Sequence, residues 1–238
     1  MRITWYGHAA FLLEGADAAA NAVRIILDPY RAPDVGSYAP IGDWADVVAV
    51  SHANERYHSH VDGIRGRPAA AGRSSPTLPP RVVDGLTLLR EPDPRILAHG
   101  VAFRAVPVWE DETRQEPIAM IHVTVGGVRV LHMGDCGHAL DAADVAACGP
   151  VDVLLALAGG PPTLAVPDLA DFIVRLAPRV VIPMHFGNDK INLNLRPVTD
   201  LLAALPNTAS RFLDEATVEV LPETLPGRTE IWVLPPAR

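Results

Sequence analysis

Three short apolar runs constrain this chain most: Val47 to Val50, Val128 to Leu131 and Val180 to Ile182. Each is valine-rich and too short for a helix, which reads as a strand buried on both faces. Each then stops abruptly in polar chemistry. The first empties into Ser51-His52-Ala53-Asn54-Glu55-Arg56-Tyr57-His58-Ser59-His60, the second into His132-Met133-Gly134-Asp135, the third into Pro183-Met184-His185-Phe186-Gly187. Sheets that bury strands in this way bind ligands outside the carboxyl ends of those strands. Three such ends meeting at one point would gather imidazoles and a carboxylate.

The rest of the chain supplies the sheets. Ile3 to Tyr6, Phe11 to Glu14 and Val23 to Leu27 are short apolar runs separated by turn residues, and they read as a β-meander. Val82 to Leu89 and Ile96 to Val108 read as further strands, and Trp109 to Pro117 as a charged loop. Ile118 to Val125 and Val128 to Met133, joined by Gly126-Gly127, form a hairpin signal. Beyond it the pattern changes. Leu140 to Ala147, Val166 to Leu176 and Arg196 to Leu205 read as helices. They alternate with strands at Val151 to Ala158 and Val180 to Pro183, and strands Thr217 to Leu221 and Glu230 to Leu234 follow. Gly66 to Pro80, rich in Pro, Gly, Ser, Ala and Arg, reads as a mobile loop at an edge of the site. A β-rich front and a βαβ-like back suggest two halves packed face to face with helices outside. No linker divides the chain, so residues 1–238 are expected to form a single domain.

Composition narrows the function. The net charge of −8 disfavours nonspecific binding to nucleic acid or to an anionic membrane. Two cysteines, Cys136 and Cys148, are too few for a disulfide framework, and no run is long enough to span a bilayer. The expectation is a cytoplasmic protein with a small-molecule substrate; a homo-oligomer is left open. Histidine and aspartate donors without clustered cysteine suit a divalent transition metal, Zn, Mn or Fe, rather than a closed structural zinc site. One or two ions would fit, Asp135 being able to bridge a pair.

The chain resembles the metallo-β-lactamase superfamily, in the branch of metal-dependent hydrolases that includes ascorbate-6-phosphate lactonase. The resemblance is carried by Thr4-Trp5-Tyr6-Gly7-His8, Ile26-Leu27-Asp28-Pro29-Tyr30, Val50-Ser51-His52, His132-Met133-Gly134-Asp135, Ala158-Gly159-Gly160 through Thr163, and Ile182-Pro183-Met184-His185-Phe186. It implies a four-layer αβ/βα sandwich of two mostly antiparallel sheets with outer helices. It also implies hydrolysis of an ester, lactone or phosphodiester by a metal-bound hydroxide. The ligand set would be His52, His58, Asp135 and His185, with His8 near the substrate and Asp28 behind the ligands.

The chain also departs from the family pattern H-x-H-x-D-H. The stretch His52-Ala53-Asn54-Glu55-Arg56-Tyr57-His58 is one residue longer, has Asn54 in place of the second His, and lacks the Asp. A rival register exists in His58-Ser59-His60-Val61-Asp62-Gly63. The register through His52 is favoured because His52 directly follows a strand. After Pro107-Val108 the family's further His is replaced by Trp109-Glu110-Asp111, and Glu110 is a candidate oxygen ligand or a solvated acid. A second class of function follows from these departures: a chain that kept the fold, lost the metal and serves as a non-catalytic binding module. His138 is expected to line the mouth or face solvent, Cys136 to be buried, and His99 and His122 to be structural.

Overall fold

The computed structural model describes residues 1–69 and 78–238. The first sheet opens with β1 (Arg2–Gly7), β2 (Ala10–Ala16) and β3 (Ala22–Leu27), the expected antiparallel meander. β4 (Val47–Val50) and β5 (Arg81–Asp84) then add in parallel to β3. The period-2 alternation of these strands divides them between two cores. Ile3, Leu13, Ile25 and Val47 lie side by side across the sheet, as do Trp5, Phe11, Leu27 and Ala49, and both rows face the second sheet. The opposite face carries Leu12, Ile26, Val48 and Val50, which pack under Tyr30, Val35, Tyr38 and Ile41 from the stretch after β3 and Ile64 from the loop after β4.

After β5 the chain departs from expectation. Val82 to Leu89 is not one strand, because Asp84 caps a short helix, α1 (Gly85–Leu89), by accepting from the Thr87 amide. A side chain at position 85 would collide with Ala119 and Ile121, so Gly85 lets this turn sit directly on the second sheet. β6 (Arg95–Ala98) and β7 (Val101–Trp109) are separated by a tight turn in which His99 and Gly100 both take positive φ. The hairpin of β8 (Pro117–Val125) and β9 (Val128–His132) turns on Gly126-Gly127 as expected.

From β9 the chain alternates helices with strands: α2 (Ala142–Cys148), β10 (Val153–Leu157), α3 (Val166–Leu176), β11 (Val180–Met184) and α4 (Val198–Ala204). Leu169, Ala170, Phe172 and Ile173 of α3 form its buried stripe. β12 (Ala209–Phe212) was not expected; its residues are all exposed, so it lacks the alternation that reveals a strand. β13 (Thr217–Glu219) returns to the first sheet beside β1, and β14 (Glu230–Val233) joins the second between β11 and β12. The orders are β13-β1-β2-β3-β4-β5 and β12-β14-β11-β10-β9-β8-β7-β6. The result is the expected α/β sandwich of two sheets, but only the first is mostly antiparallel as expected; in the second, four parallel pairings through the crossovers outnumber the three antiparallel ones of the hairpins. No helix among the described residues is long and apolar enough to cross a membrane.

Strand direction fixes where chemistry can gather. β1, β3 and β4 run parallel to one another, so Gly7, Leu27 and Val50 end at the same edge. β7, β9, β10 and β11 do the same in the second sheet. The Ala119 amide donates to the Ser51 carbonyl at 3.1 Å and the His185 amide to the His8 carbonyl at 3.0 Å, so the two edges meet.

The flanks of the Gly66 to Pro80 stretch lie elsewhere. Arg67, Ala69, Leu78 and Pro79 share a cavity with Ala45 and Asp46, at the start of β4 and away from His52. Arg67 is tied there by bonds to both carboxylate oxygens of Asp46. These described flanks do not border the site; residues 70–77 of the expected loop lie outside the described residues.

Candidate metal centre

Asp28 organises the centre. It directly follows β3, is fully buried, and takes a left-handed φ of 41°. Its Oδ1 accepts the Ser51 amide at 2.7 Å, and its Oδ2 accepts the Ser51 hydroxyl at 2.6 Å and contacts His58 Nδ1 at 3.0 Å. A carboxylate there accepts a hydrogen bond from the Nδ1–H of His58 and so directs Nε2, the other ring nitrogen, toward Asp135 as the ligating atom. That Nε2 comes within 2.7 Å of Asp135 Oδ2 without the direction of a hydrogen bond. His52 contacts the Ser51 hydroxyl through Nδ1 at 2.9 Å, and its buried Nε2 has no partner. The rings of His52 and His58 lie 4.6 Å apart.

The lengthened loop explains how His58 arrives. The Asn54 carbonyl accepts amides from Tyr57, His58 and Ser59, and the Asn54 amide donates to the Ser59 hydroxyl. The extra residue is thereby wound into a closed turn that returns His58 beside His52. His60 lies beyond it, with Nδ1 3.8 Å from the exposed Glu55, and Asp62 lies in a 3-10 turn.

Asp135 follows the turn at Gly134 (φ 60°), where a side chain would press on Ser51. Its Oδ1 is buried without a hydrogen-bond partner and lies 3.8 Å from His185 Nε2. His185 takes a left-handed φ of 50°, His8 one of 51°, and their rings pack at 4.5 Å. Both ring nitrogens of His8 are buried without partners. Left-handed backbone at non-glycine residues costs on the order of 1–3 kcal/mol each and concentrates at functional sites.

Two sets of donor atoms are close enough to share an ion. One atom each from Asp28, His52 and His58 lie within 4.8 Å of one another, as do atoms from His52, Glu110 and Asp135. The expected ligands His52, His58, Glu110 and Asp135 are thus brought together, with His185 adjoining through Asp135. Asp28 belongs to the cluster itself, closer in than the sequence suggested.

Electrostatics fit a cation. Burial alone would raise Asp28 and Asp135, yet the surrounding histidines hold both below the usual carboxylate range, Asp135 well below. Burial opposes a charge on His58, but Asp135 and Asp28 outweigh it and push His58 up to about 10, so without an ion the ring carries the positive charge, and a bound cation would take that charge's place and free the Nε2 lone pair. Burial and neighbouring histidines lower His8 and His52, and burial lowers His185, so these remain neutral imidazoles. Burial and Asp135 raise Glu110. Among the described residues the charged contacts of Asp28 and Asp135 are all with histidines. The cluster therefore combines buried anions, neutral imidazoles and unpartnered lone pairs facing one another, which is what a divalent ion requires.

Other residues take different places. His132 contacts the Ala9 carbonyl through Nε2 and accepts the Gly134 amide at Nδ1, so it braces the edge. His138, expected at the mouth or in solvent, is buried with Nδ1 against the Trp109 carbonyl. Cys136 is buried, and burial pushes its thiol up to about 12. His122 contacts the Pro150 carbonyl. Ser51, Tyr57 and the Leu193-Asn194-Leu195 segment were not singled out from sequence. Ser51 had a signal in its place between β4 and His52; the distant segment had none. Tyr57 and that segment line a cavity of about 490 Å³ with His8, Glu110, Asp135 and His185.

A model of the beta-lactamase superfamily domain matches residues 2–185. A UPF0173 protein of Pyrococcus furiosus is 33% identical over 196 residues, covering 79% of this chain and 84% of its own. A UPF0173 metal-dependent hydrolase of Carboxydothermus hydrogenoformans is 28% identical over 201 residues, covering 79% and 85%. The crystal structure of a proposed Zn-dependent hydrolase of the metallo-β-lactamase superfamily from Thermotoga maritima superposes with a TM-score of 0.71 at 25% identity, covering 98% and 97%. With that match across most of its length, the chain belongs to the beta-lactamase superfamily.

Proposed function

We propose that this chain is a metal-dependent hydrolase of a small-molecule ester, lactone or phosphodiester. The observation that carries the reading is the convergence of unpartnered buried donors: Nε2 of His52 and His58, and Oδ1 of Asp135. Buried polar atoms ordinarily find partners, so several facing one point argue for a missing ligand. His52, His58 and Asp135 would hold the ion, with Glu110 and His185 completing its surroundings. A bound divalent ion would polarise the scissile carbonyl or phosphoryl group and lower the pKa of water beside it.

The chain's own residues do the rest. Asp28 keeps the His58 proton on Nδ1, so that Nε2 offers its lone pair. Ser51 fixes both Asp28 and His52. His8, neutral and facing the cavity, can accept or donate a proton at the substrate. Support for the class of activity comes from the UPF0173 relatives named as metal-dependent hydrolases. A register through His52 and His58 is favoured over His58, His60 and Asp62, because the latter pair lies away from the cluster.

Elemental analysis of purified protein, followed by turnover of esters, lactones and phosphodiesters with and without a chelator, tests the reading. Bound divalent metal and chelator-sensitive turnover are expected. No metal after reconstitution would favour the non-catalytic binding module, which Asn54 at the position of a family ligand would then explain.

A further inference from the structure

The cavity beside the centre has a character that the hydrolase reading does not use. Its charged lining, Asp135 and Glu110, is acidic, and among the described residues no lysine or arginine lines it. Beside the cluster's own residues the wall is Pro161, Pro162, Leu193 and Leu195, with Asn54, Tyr57, Thr163 and Asn194 as uncharged polar groups. The nearest arginines in sequence are turned to other partners. Arg196 is bonded to Asp200 at 2.5 Å, and Arg56 stacks over the Tyr57 ring at 5.3 Å with Nε 3.6 Å from Asp34.

This wall is held in place by close backbone packing. The Arg196 amide donates to the Gly159 carbonyl at 2.8 Å, and the Gly187 amide to the Arg196 carbonyl at 2.9 Å. A Cβ on Gly187 would lie 2.4 Å from the Leu195 carbonyl oxygen, and one on Gly159 3.1 Å from the Leu195 side chain. Both positions must be glycine for the Leu193 to Leu195 segment to sit this close to His185.

The charge count then selects the ligand. Asp28 and Asp135 together neutralise a divalent ion, and Glu110 adds negative charge when ionised. A phosphate or carboxylate entering this cavity would be desolvated against acids, with no side-chain cation among the described lining residues to pair with it. An uncharged acyl group meets no such cost, and its carbon chain gains from the Pro and Leu wall.

We propose that the pocket takes an uncharged ester or lactone with an apolar acyl chain and discriminates against substrates bearing a phosphate or carboxylate. This rests on the hydrolase reading and narrows it. In the reaction the water oxygen bonds to the acyl carbon and the acyl–oxygen bond breaks. One water proton ends on the leaving alcohol and the other is released as the acid ionises.

A matched pair of esters tests it on the metal-loaded protein: 4-nitrophenyl butyrate against 4-nitrophenyl hemisuccinate, which differ by a remote carboxylate. Butyrate is expected to have the higher kcat/KM by about tenfold or more, the scale of a charge left unpaired on burial. Leu193→Arg is expected to recover most of that loss for hemisuccinate and to slow butyrate, because Leu193 belongs to the wall the acyl chain packs on, and a circular dichroism melt close to the parent's reports that the variant is folded. A binding readout stands apart from turnover. By ligand-observed NMR, N-phenylbutyramide should bind and N-phenylsuccinamic acid should not. Absence of metal and of chelator-sensitive turnover, with the butyramide still binding selectively, would sink the hydrolase reading and leave the pocket chemistry standing. Equal or better use of hemisuccinate, chelator-sensitive cleavage of bis(4-nitrophenyl) phosphate in preference to butyrate, or binding of neither anilide would overturn the proposal.

Discussion

The main-chain N–H of His185 donates to the carbonyl oxygen of His8 across 3.0 Å, joining the end of β11 in one sheet to the end of β1 in the other. The same oxygen accepts the Trp5 indole N–H at 3.0 Å. Two donors on one carbonyl hold the left-handed turn at His8. They also make the distance between the two histidine rings a property of how the sheets pack.

The first prediction follows from that packing. A Cβ on Gly159 would lie 2.1 Å from the His185 carbonyl oxygen. Gly159→Ala must therefore shift His185 or the segment beside it, and overpacking of this kind costs about 1–3 kcal/mol. Thermal unfolding should show a lowered Tm, and a chelator competition should show weakened metal binding in the same variant. An unchanged Tm would mean the two strand ends are free to move apart.

Asp28→Asn should keep the fold and damage the centre. An amide can still accept from Ser51, but its NH2 would face His58 Nδ1 and drive the ring proton to Nε2. Metal affinity should fall about 10- to 100-fold, as for other partners that orient a ligating imidazole. Competition against a chromophoric chelator measures it, and affinity equal to the parent protein would remove Asp28 from the centre.

Alanine variants decide the register of the loop. His52→Ala and His58→Ala should each weaken metal binding by about tenfold or more, whereas His60→Ala and Asp62→Ala should leave it near the parent value. Metal content after dialysis reads the difference. Retention in His52→Ala with loss in His60→Ala would move the site along the loop.

Asp135→Ala removes a buried carboxylate with an unpartnered oxygen. Chelator-sensitive turnover should fall by about 100-fold or more, comparable to losing a group that acts on the reacting atoms. A circular dichroism melt close to the parent's would separate this loss from unfolding.

A pH prediction concerns a pair away from the centre. Burial pushes Asp152 up, but its bonds from the Arg129 guanidinium and amide outweigh this and hold its carboxyl below the usual range. A carboxyl lowered on folding contributes stability that is present above its unfolded value and lost as pH falls through the folded one. Arg129 is partly exposed, so the contribution is about 1 kcal/mol or less. Tm measured from neutral pH down through the carboxylate range should fall more steeply for the parent than for Asp152→Asn. Parallel curves would show that the pair carries no stability.

Much of this arrangement could be read from the chain because it depends on strand ends. Val47 to Val50 and Val180 to Met184 are apolar on both faces, so their limits and burial follow from composition alone, and His52 and His185 inherit those positions. β12 could not be read, since an exposed edge strand carries no alternation. α1 was missed because a single cap, Asp84 to Thr87, overrides the apolar run that suggested a strand. The wall from Leu193 to Leu195 was invisible for another reason. It reaches the cavity only through contacts with Gly159 and Gly187 that no local pattern encodes. His138 was misplaced because its burial comes from the Trp109 carbonyl, a partner 29 residues away in the chain.

The left-handed turns at His8, Asp28 and His185 have a consequence for the life of the protein before it acts. Three residues held at φ of 51°, 41° and 50° tax a fold whose whole margin is commonly about 5–15 kcal/mol. A ligand that binds only the folded chain returns that margin by mass action. Newly made protein would then be most exposed to proteases where its ion is scarce, so supply of the ion would govern how much protein persists as well as how fast it works.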